Sequence, residues 1–374
     1  MNTLFNYFVL LATMLLCCCT PGKQKSKGRP DNEMQYATLL CMNDSNGTTI
    51  VTVKDPWHFG NTLQQLRLSV DAKAGKDNAV LHPLRRVVVF TTAHCQLLEY
   101  LHLQDRIVGV CDLRYMLIAD IQRRVKNGTI ADCGSSMAPD MEKIAALHPD
   151  AIIASPYEGN TALDRLQRLG IPVIQAADYM EATALGRAEW MRYYGRLFGK
   201  GQDADALFHQ VDSSYNSLRN LAAKMPKGKS IITERMTGNV WYMPGGESTV
   251  AAIIRDANGL YPFAADKHSG SLPLSFEQVI GRAAGSEVWA IKFNGDAPLT
   301  KAQLLQECSG YKALKAFQTG SIYECNCSAT PYFEEVSWRP DLLLREFILL
   351  LHPHAGLGSL RYYQRLGEPG SMPR

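Results

Sequence analysis

Two separate stretches of this chain spell the same structural step. Met141-Glu142-Lys143-Ile144-Ala145-Ala146-Leu147-His148-Pro149-Asp150 leads into the apolar run Ala151-Ile152-Ile153-Ala154. Phe276-Glu277-Gln278-Val279-Ile280 leads through Ser286-Glu287 into Val288-Trp289-Ala290-Ile291. Each reads as a short helix opened by a glutamate and followed by a buried strand, one αβ step of a parallel sheet. A chain that takes this step in each half is α/β with two lobes, and the cleft between them is the natural seat for a ligand.

More strands of the same kind surround the first step. Arg86-Val87-Val88-Val89-Phe90, Ile107-Val108-Gly109-Val110 and Ile171-Pro172-Val173-Ile174 are short apolar runs, with helical spacing over 94–103 and 161–169 between them. Such alternation predicts a parallel sheet with right-handed crossovers. From 184 to 198 Leu185, Ala188, Met191, Tyr194 and Leu197 recur every three residues as one apolar stripe, and 202–224 continues with Leu207, Val211, Tyr215, Leu218 and Leu221. Gly199 and Gly201 separate these two helices, the first joining the lobes and the second belonging to the C-terminal one. Ser230-Ile231-Ile232-Thr233, 288–292 and Ile322-Tyr323 read as strands, and 342–351 as an apolar helix ending before Pro353.

The front of the chain is different. Residues 4–16 form an apolar run too short to span a bilayer, which reads as the core of a signal peptide. It ends in Leu16-Cys17-Cys18-Cys19-Thr20-Pro21, a resemblance to a bacterial lipoprotein processing site that implies lipidation at Cys19, with Cys18 as second choice and an uncleaved N-terminal anchor as the other reading. Lys23, Lys25, Lys27 and Arg29 then lie in a Gly/Ser/Pro-containing tether over 20–34. Tyr36-Ala37-Thr38-Leu39-Leu40, 48–53 and 66–70 are β-rich, with Asn43-Asp44-Ser45-Asn46-Gly47 as a turn, so 35–83 is expected to form a small β appendage. The expected order is signal peptide 1–19, tether 20–34, appendage 35–83, N-terminal lobe 84–183, linking helix 184–199, C-terminal lobe 200–366 and a Gly/Pro-rich disordered tail 367–374.

With 374 residues, 46% of them hydrophobic, the chain can bury a sizeable core. Removing the four basic charges Lys23, Lys25, Lys27 and Arg29 from the formal +3 leaves −1 for the rest of the chain, a nearly neutral balance without an electrostatic footprint for nucleic acid. Seven of the ten cysteines lie beyond the signal region, an odd number that cannot all pair. Cys95 and Cys111 sit in apolar contexts as buried hydrophobes. Cys325-Asn326-Cys327 is short of the four ligands of a closed zinc site and points to a structural role or a bond from one of them to Cys308.

No nucleophile elbow, phosphate loop or zinc-protease signature is present, and Gly356-Leu357-Gly358-Ser359 follows a helix where a dinucleotide fingerprint would follow a strand. Gly245-Gly246 reads as a turn into a helix over 249–254, since Glu247 would repel a phosphate. His94, His148, His209, His268, His352 and His354 are dispersed, which leaves bare zinc or manganese binding as the runner-up function and an extracytoplasmic enzyme as a remoter one. Aromatic residues collect just beyond strand ends: Tyr115, Tyr157, Trp241, Tyr242, and Tyr332, Phe333 and Trp338 near the last helix. In open α/β sheets that is where ligands bind.

Asp178-Tyr179-Met180-Glu181, Leu185-Gly186-Arg187-Ala188-Glu189-Trp190-Met191, Trp241-Tyr242-Met243-Pro244-Gly245-Gly246-Glu247-Ser248, Asp256-Ala257-Asn258-Gly259 and Leu351-His352-Pro353 together resemble the substrate-binding proteins of iron-chelate and cobalamin ABC importers, over roughly 84–366. The resemblance implies two Rossmann-like lobes with parallel sheets joined by a rigid long helix, and no catalysis. It implies a monomer tied to the membrane by its lipid, without a resident cofactor or metal, whose ligand is a siderophore complex, haem or cobalamin. It matches Tyr115, Tyr157 and Trp241 to the cleft wall, which Tyr242 and Trp338 join by their place near strand ends and the last helix, with Arg114 and Arg339 as anchors for acidic groups of the chelate. It also implies docking of Glu142 and Glu277 onto an inner-membrane permease dimer, which works with its ATPase.

Overall fold

The structure is a computed structural model and describes residues 34–45, 48–69, 79–159, 161–168 and 170–367. The apolar run 4–16, Cys18, Cys19 and residues 20–33 and 368–374, and with them the expected signal peptide, tether and tail, lie outside the described residues. Both predicted sheets are present. The N-terminal one has the order Val173–Gln175, Ala151–Ala154, Val87–Val89, Ile107–Val110, Ala131–Asp132, parallel throughout. In the C-terminal sheet Ile231–Thr233, Val288–Phe293 and Ile322–Asn326 are parallel, and Gln364–Arg365 closes the edge antiparallel. The continuous apolar runs are explained by helices on both faces, which leave Val87, Val88, Val89 and Ala151 to Ala154 with almost no exposure.

Between the sheets the chain forms two helices, Ala184–Leu197 and Gly201–Ala223. Thr183 caps the first, its hydroxyl accepting from Gly186 N at 3.0 Å, and Gly199 leaves it in the left-handed conformation at φ 71°. Gly195 lets the two helices meet, because a Cβ there would overlap the Ala204 side chain. The linking helix departs from the expected single stripe. Glu189, Trp190 and Tyr193 are buried along with the stripe; residues 35–37 cover Glu189, whose carboxylate takes their backbone N–H groups.

That segment is also where the expected first strand fails. Tyr36 to Leu39 are not in a sheet, and the strand begins at Leu40 and runs to Ser45, into the expected turn. The backbone N–H groups of Gln35, Tyr36 and Ala37 donate to Glu189 at 2.7–2.8 Å, and those of Thr38 and Leu39 to Glu181 at 2.9–3.0 Å. Two carboxylates thus do the work of a strand partner, through charge-assisted bonds stronger than ladder bonds.

The appendage is a four-stranded sheet of Leu40–Ser45, Thr48–Lys54, Thr62–Ser69 and Ala79–Leu81. Leu40, Met42, Val51, Val53, Leu66 and Leu68 join the same core as the linking helix. Gln64 reaches the edge of the N-terminal sheet, donating to Val173 O at 2.6 Å and accepting from Gln175 N at 3.0 Å. Its amide mimics the next strand and caps an edge that would otherwise be open to pairing.

Candidate functional site

The carboxyl ends of both sheets open on one cleft, built from hollows of about 480, 380, 310 and 280 Å³ that share wall residues. Tyr179 joins the largest to the smallest, Arg187 and Lys292 line both of the larger two, and Phe333 continues into the fourth. Local chemistry aims these side chains. Residues 240–244 form a strand whose burial alternates, so Trp241 and Met243 turn inward and Tyr242 turns out into the cleft. Tyr179 is fixed by its hydroxyl on Pro156 O at 2.6 Å. Glu234 follows its strand in the left-handed conformation at φ 61°, a costly backbone state for this residue, and so delivers its carboxylate to Lys292 on the cleft floor.

Aromatic surface comes from both lobes: Tyr115, Tyr157 and Tyr179 on one side, Tyr242 and Phe333 on the other, all between 37% and 53% exposed. The Arg114 guanidinium lies 4.5 Å over the Tyr115 ring. Deeper in, the cations are matched by carboxylates. Arg187 Nε donates to Asp178 at 3.2 Å, Arg235 pairs with Glu307, and Lys292 pairs with Glu234 and sits 5.6 Å over the Tyr332 ring. Burial alone would favour a neutral Lys292 amine, but Glu234 outweighs it and raises the ammonium pKa.

Behind Arg187 lies a closed polar cluster. Asp178 is fully buried and accepts from His94 Nε2 at 3.0 Å and from the Tyr194 hydroxyl at 3.2 Å. Burial pushes its carboxyl up, yet the His94 ring and the Arg187 guanidinium together hold it below the ordinary carboxylate value.

Of the sequence-predicted wall, Tyr115, Arg114, Tyr157 and Tyr242 line these hollows or the adjoining one under the appendage. Three others do not. Trp241 has no exposed surface, donates to Thr233 O at 3.1 Å and packs on Trp289 and Tyr311. Trp338 is equally buried, its ring against His94 and Tyr194. Arg339 spends its guanidinium on Asp341 in two bonds of 2.9 Å beside the last helix, Pro340–Leu351. The two indoles have no surface to offer a ligand, and Arg339 lines none of these hollows. Conversely, Tyr179, Arg187, Arg235 and Lys292 were not singled out. Lys292 had a signal, a lone charge inside the apolar strand Val288–Phe293.

Gly245 and Gly246 serve close packing, since a Cβ on either would strike the backbone of His268 or Asp266, and Ser248 caps the following helix, Thr249–Asp256. Glu142 and Glu277 are both exposed in the first turn of their helices, Met141–Ala146 and Phe276–Ala283. Each helix precedes the strand that neighbours the first strand of its sheet. The two glutamates therefore occupy equivalent places in the two lobes. The seven cysteines among the described residues are free, so of the two readings of Cys325 and Cys327 the bond to Cys308 is not formed.

Comparison with known proteins agrees with this architecture. The profile described as "Periplasmic binding protein" matches residues 87–328. The chain belongs to that family. This periplasmic binding protein is 26% identical over 305 residues to the uncharacterized lipoprotein MJ0878 of Methanocaldococcus jannaschii, covering 78% of this chain and 71% of the relative. It is 23% identical over 259 residues to the petrobactin-binding protein YclQ of Bacillus subtilis, covering 68% of each. Among solved structures, a periplasmic heme binding protein from Pseudomonas aeruginosa superposes with a TM-score of 0.60 at 17% identity, covering 77% of this chain and 99% of that one. The two-lobed fold of the family is thus shared, with the appendage lying ahead of the matched region.

Proposed function

We propose that this protein is the extracytoplasmic substrate-binding component of an ABC importer and captures a metal chelate in the inter-lobe cleft. The observation that carries the reading is the meeting of exposed aromatics from both lobes over cations already matched by carboxylates. Rings stack on broad ligand faces, and an arginine or lysine with spare N–H groups holds one or two acidic groups. A cleft so balanced suits a chelate with large apolar faces and few acids, such as haem or a corrin, better than a polyanion. The petrobactin-binding relative keeps ferric siderophores in the comparison.

The same reading places the lipid on Cys19, and the permease dimer with its ATPase against Glu142 and Glu277. A palmitate analogue should label the wild type and not Cys19→Ser; label lost only in Cys18→Ser moves the site by one. The bare-metal alternative gains no support, since among the described residues no group of three or more His, Cys, Asp and Glu is placed to hold an ion. His94 faces Asp178 and His352 bonds to Ala257 O at 2.9 Å.

Titration of the purified protein with haemin, aquocobalamin and ferric catecholate or citrate complexes, followed by quenching of protein fluorescence, tests the proposal. Saturable one-to-one binding of one of them, weakened about tenfold by Tyr242→Ala, a loss near 1.4 kcal/mol, is expected. Binding of none, with zinc or manganese retained through purification, would overturn it.

A further inference from the structure

Buried carboxylates in this fold are satisfied, with one exception. Eight lie in the interior among the described residues, and seven of them, Asp178 and Glu346 included, receive a hydrogen bond on each oxygen. Glu334 does not. It is 2% exposed, yet the Thr92 hydroxyl and Leu117 N both donate to its Oε1, at 2.8 and 3.1 Å. Oε2 has no partner among the described residues, and Glu334 forms part of the wall of the 310 Å³ hollow. A buried carboxylate oxygen without a donor costs free energy, so the group that fills the hollow is the one to satisfy it.

The rest of that hollow limits what the group is. Arg114 and Tyr115 line it from the N-terminal lobe, and Asn294, Ser328 and Phe333 from the C-terminal one. An acidic arm would set a second negative charge beside Glu334, which disfavours both. A cationic arm would meet the exposed Arg114 guanidinium. A hydroxyl brings one donor but no flat face for the Tyr115 and Phe333 rings. A primary carboxamide meets none of these objections: it is neutral and planar, it has two N–H donors for Oε2, and its oxygen can accept from Arg114, the Asn294 amide or the Ser328 hydroxyl.

We propose that Glu334 sets the ligand specificity of the cleft, its Oε2 accepting from an uncharged carboxamide arm of the chelate and rejecting a carboxylate arm at the same place. The inference rests on the chelate capture proposed above and narrows it to chelates whose edge carries carboxamides. The two duties of Glu334 fall on different atoms: Oε1 ties the lobes together and Oε2 reads the ligand. A site built to pair with a donor discriminates strongly against an analogue that lacks it, because polar groups on both sides are then left unpaired.

The test titrates the full chain, purified without ligand, with three probes and follows quenching of protein fluorescence. Aquocobalamin carries carboxamides around its corrin edge, each of its monocarboxylic acids has one of those amides hydrolysed, and haemin has carboxylates and no carboxamide. The wild type should bind aquocobalamin, and at least one of the monocarboxylic acids about tenfold more weakly or worse. Glu334→Gln keeps an amide oxygen for Thr92 and Leu117 but turns an N–H donor into the hollow. It should weaken aquocobalamin about tenfold and bring that acid to within about threefold of it. Equal affinity of the wild type for aquocobalamin and every acid, or an unchanged ratio in Glu334→Gln, overturns the proposal. It is also wrong if aquocobalamin is not bound: haemin bound in its place leaves chelate capture standing, whereas no chelate bound removes both. Denaturation midpoints check that the variant is folded; should Glu334→Gln not fold, the wild-type comparison of amide with acid decides alone.

Discussion

The indole N–H of Trp338 donates to the carbonyl of Ala93 at 2.6 Å, joining the start of the last helix to the first helix of the other lobe, Thr92–Tyr100. Glu334 adds to the joint by accepting from the Thr92 hydroxyl at 2.8 Å and from Leu117 N at 3.1 Å. The cleft therefore has a bolted floor. Trp338→Ala should cost about 3–5 kcal/mol of stability, and Trp338→Phe, which keeps a ring but strands the Ala93 carbonyl, about 1–3 kcal/mol. Denaturant titration measures both. A wild-type midpoint for the phenylalanine variant would show that the hydrogen bond carries nothing.

Closure around a ligand should be small. The linking helix has 11 of its 14 residues buried, so it cannot bend without breaking packing on several sides at once. Small-angle scattering with and without ligand is expected to give nearly the same radius of gyration. A marked compaction would count against the bolt and the helix together.

Trp241 and Tyr242 should behave as opposites although they are neighbours. Trp241→Ala opens a cavity in the C-terminal core and should cost about 3–5 kcal/mol. Tyr242→Ala removes an exposed ring and should change stability by roughly 0.5 kcal/mol or less while weakening ligand binding. Paired melting and binding curves check the contrast.

Acid should loosen the lobe junction through Asp178. Its carboxyl pKa is depressed in the folded state, so the stabilisation is complete above the ordinary value of about 3.9 and is lost as pH falls through the lower folded value. The denaturation midpoint should therefore drop below about pH 4. Asp178→Asn leaves buried partners uncompensated and should cost about 3–5 kcal/mol at neutral pH. Its acid limb should be shallower than that of the wild type; an unchanged limb would remove Asp178 from the account.

Glu142→Lys with Glu277→Lys should abolish ligand uptake by cells and leave ligand affinity in the isolated protein unchanged, because both side chains are exposed outside the cleft wall. Uptake assays beside binding titrations read the two effects separately. Wild-type uptake, or lost affinity, would end the docking assignment.

The sheets, the linking helix and the glycine turn into the helix at 249 were legible because period and turn chemistry are local properties of sequence. The direction of an aromatic side chain is also local where a strand alternates, and Trp241-Tyr242-Met243 does alternate; treating the two rings as one patch missed it. Trp338 and Arg339 were illegible for another reason. Their partners, Ala93 and Asp341, are fixed by tertiary packing and by a two-residue ion pair that no periodicity announces. The residues 36–39 look β-forming but follow a bent path, and their partners are carboxylates more than 140 positions away.

Those carboxylates have a mechanical consequence. Glu181 and Glu189 grip the five successive backbone amides of residues 35–39, and Glu189 sits on the helix between the two lobes. A pull on the chain ahead of Met34 would load those amides in shear and pass into the spine of the molecule, bypassing both lobes. A protein moored at its front end could then be tugged, tilted or swung about without its cleft being prised open.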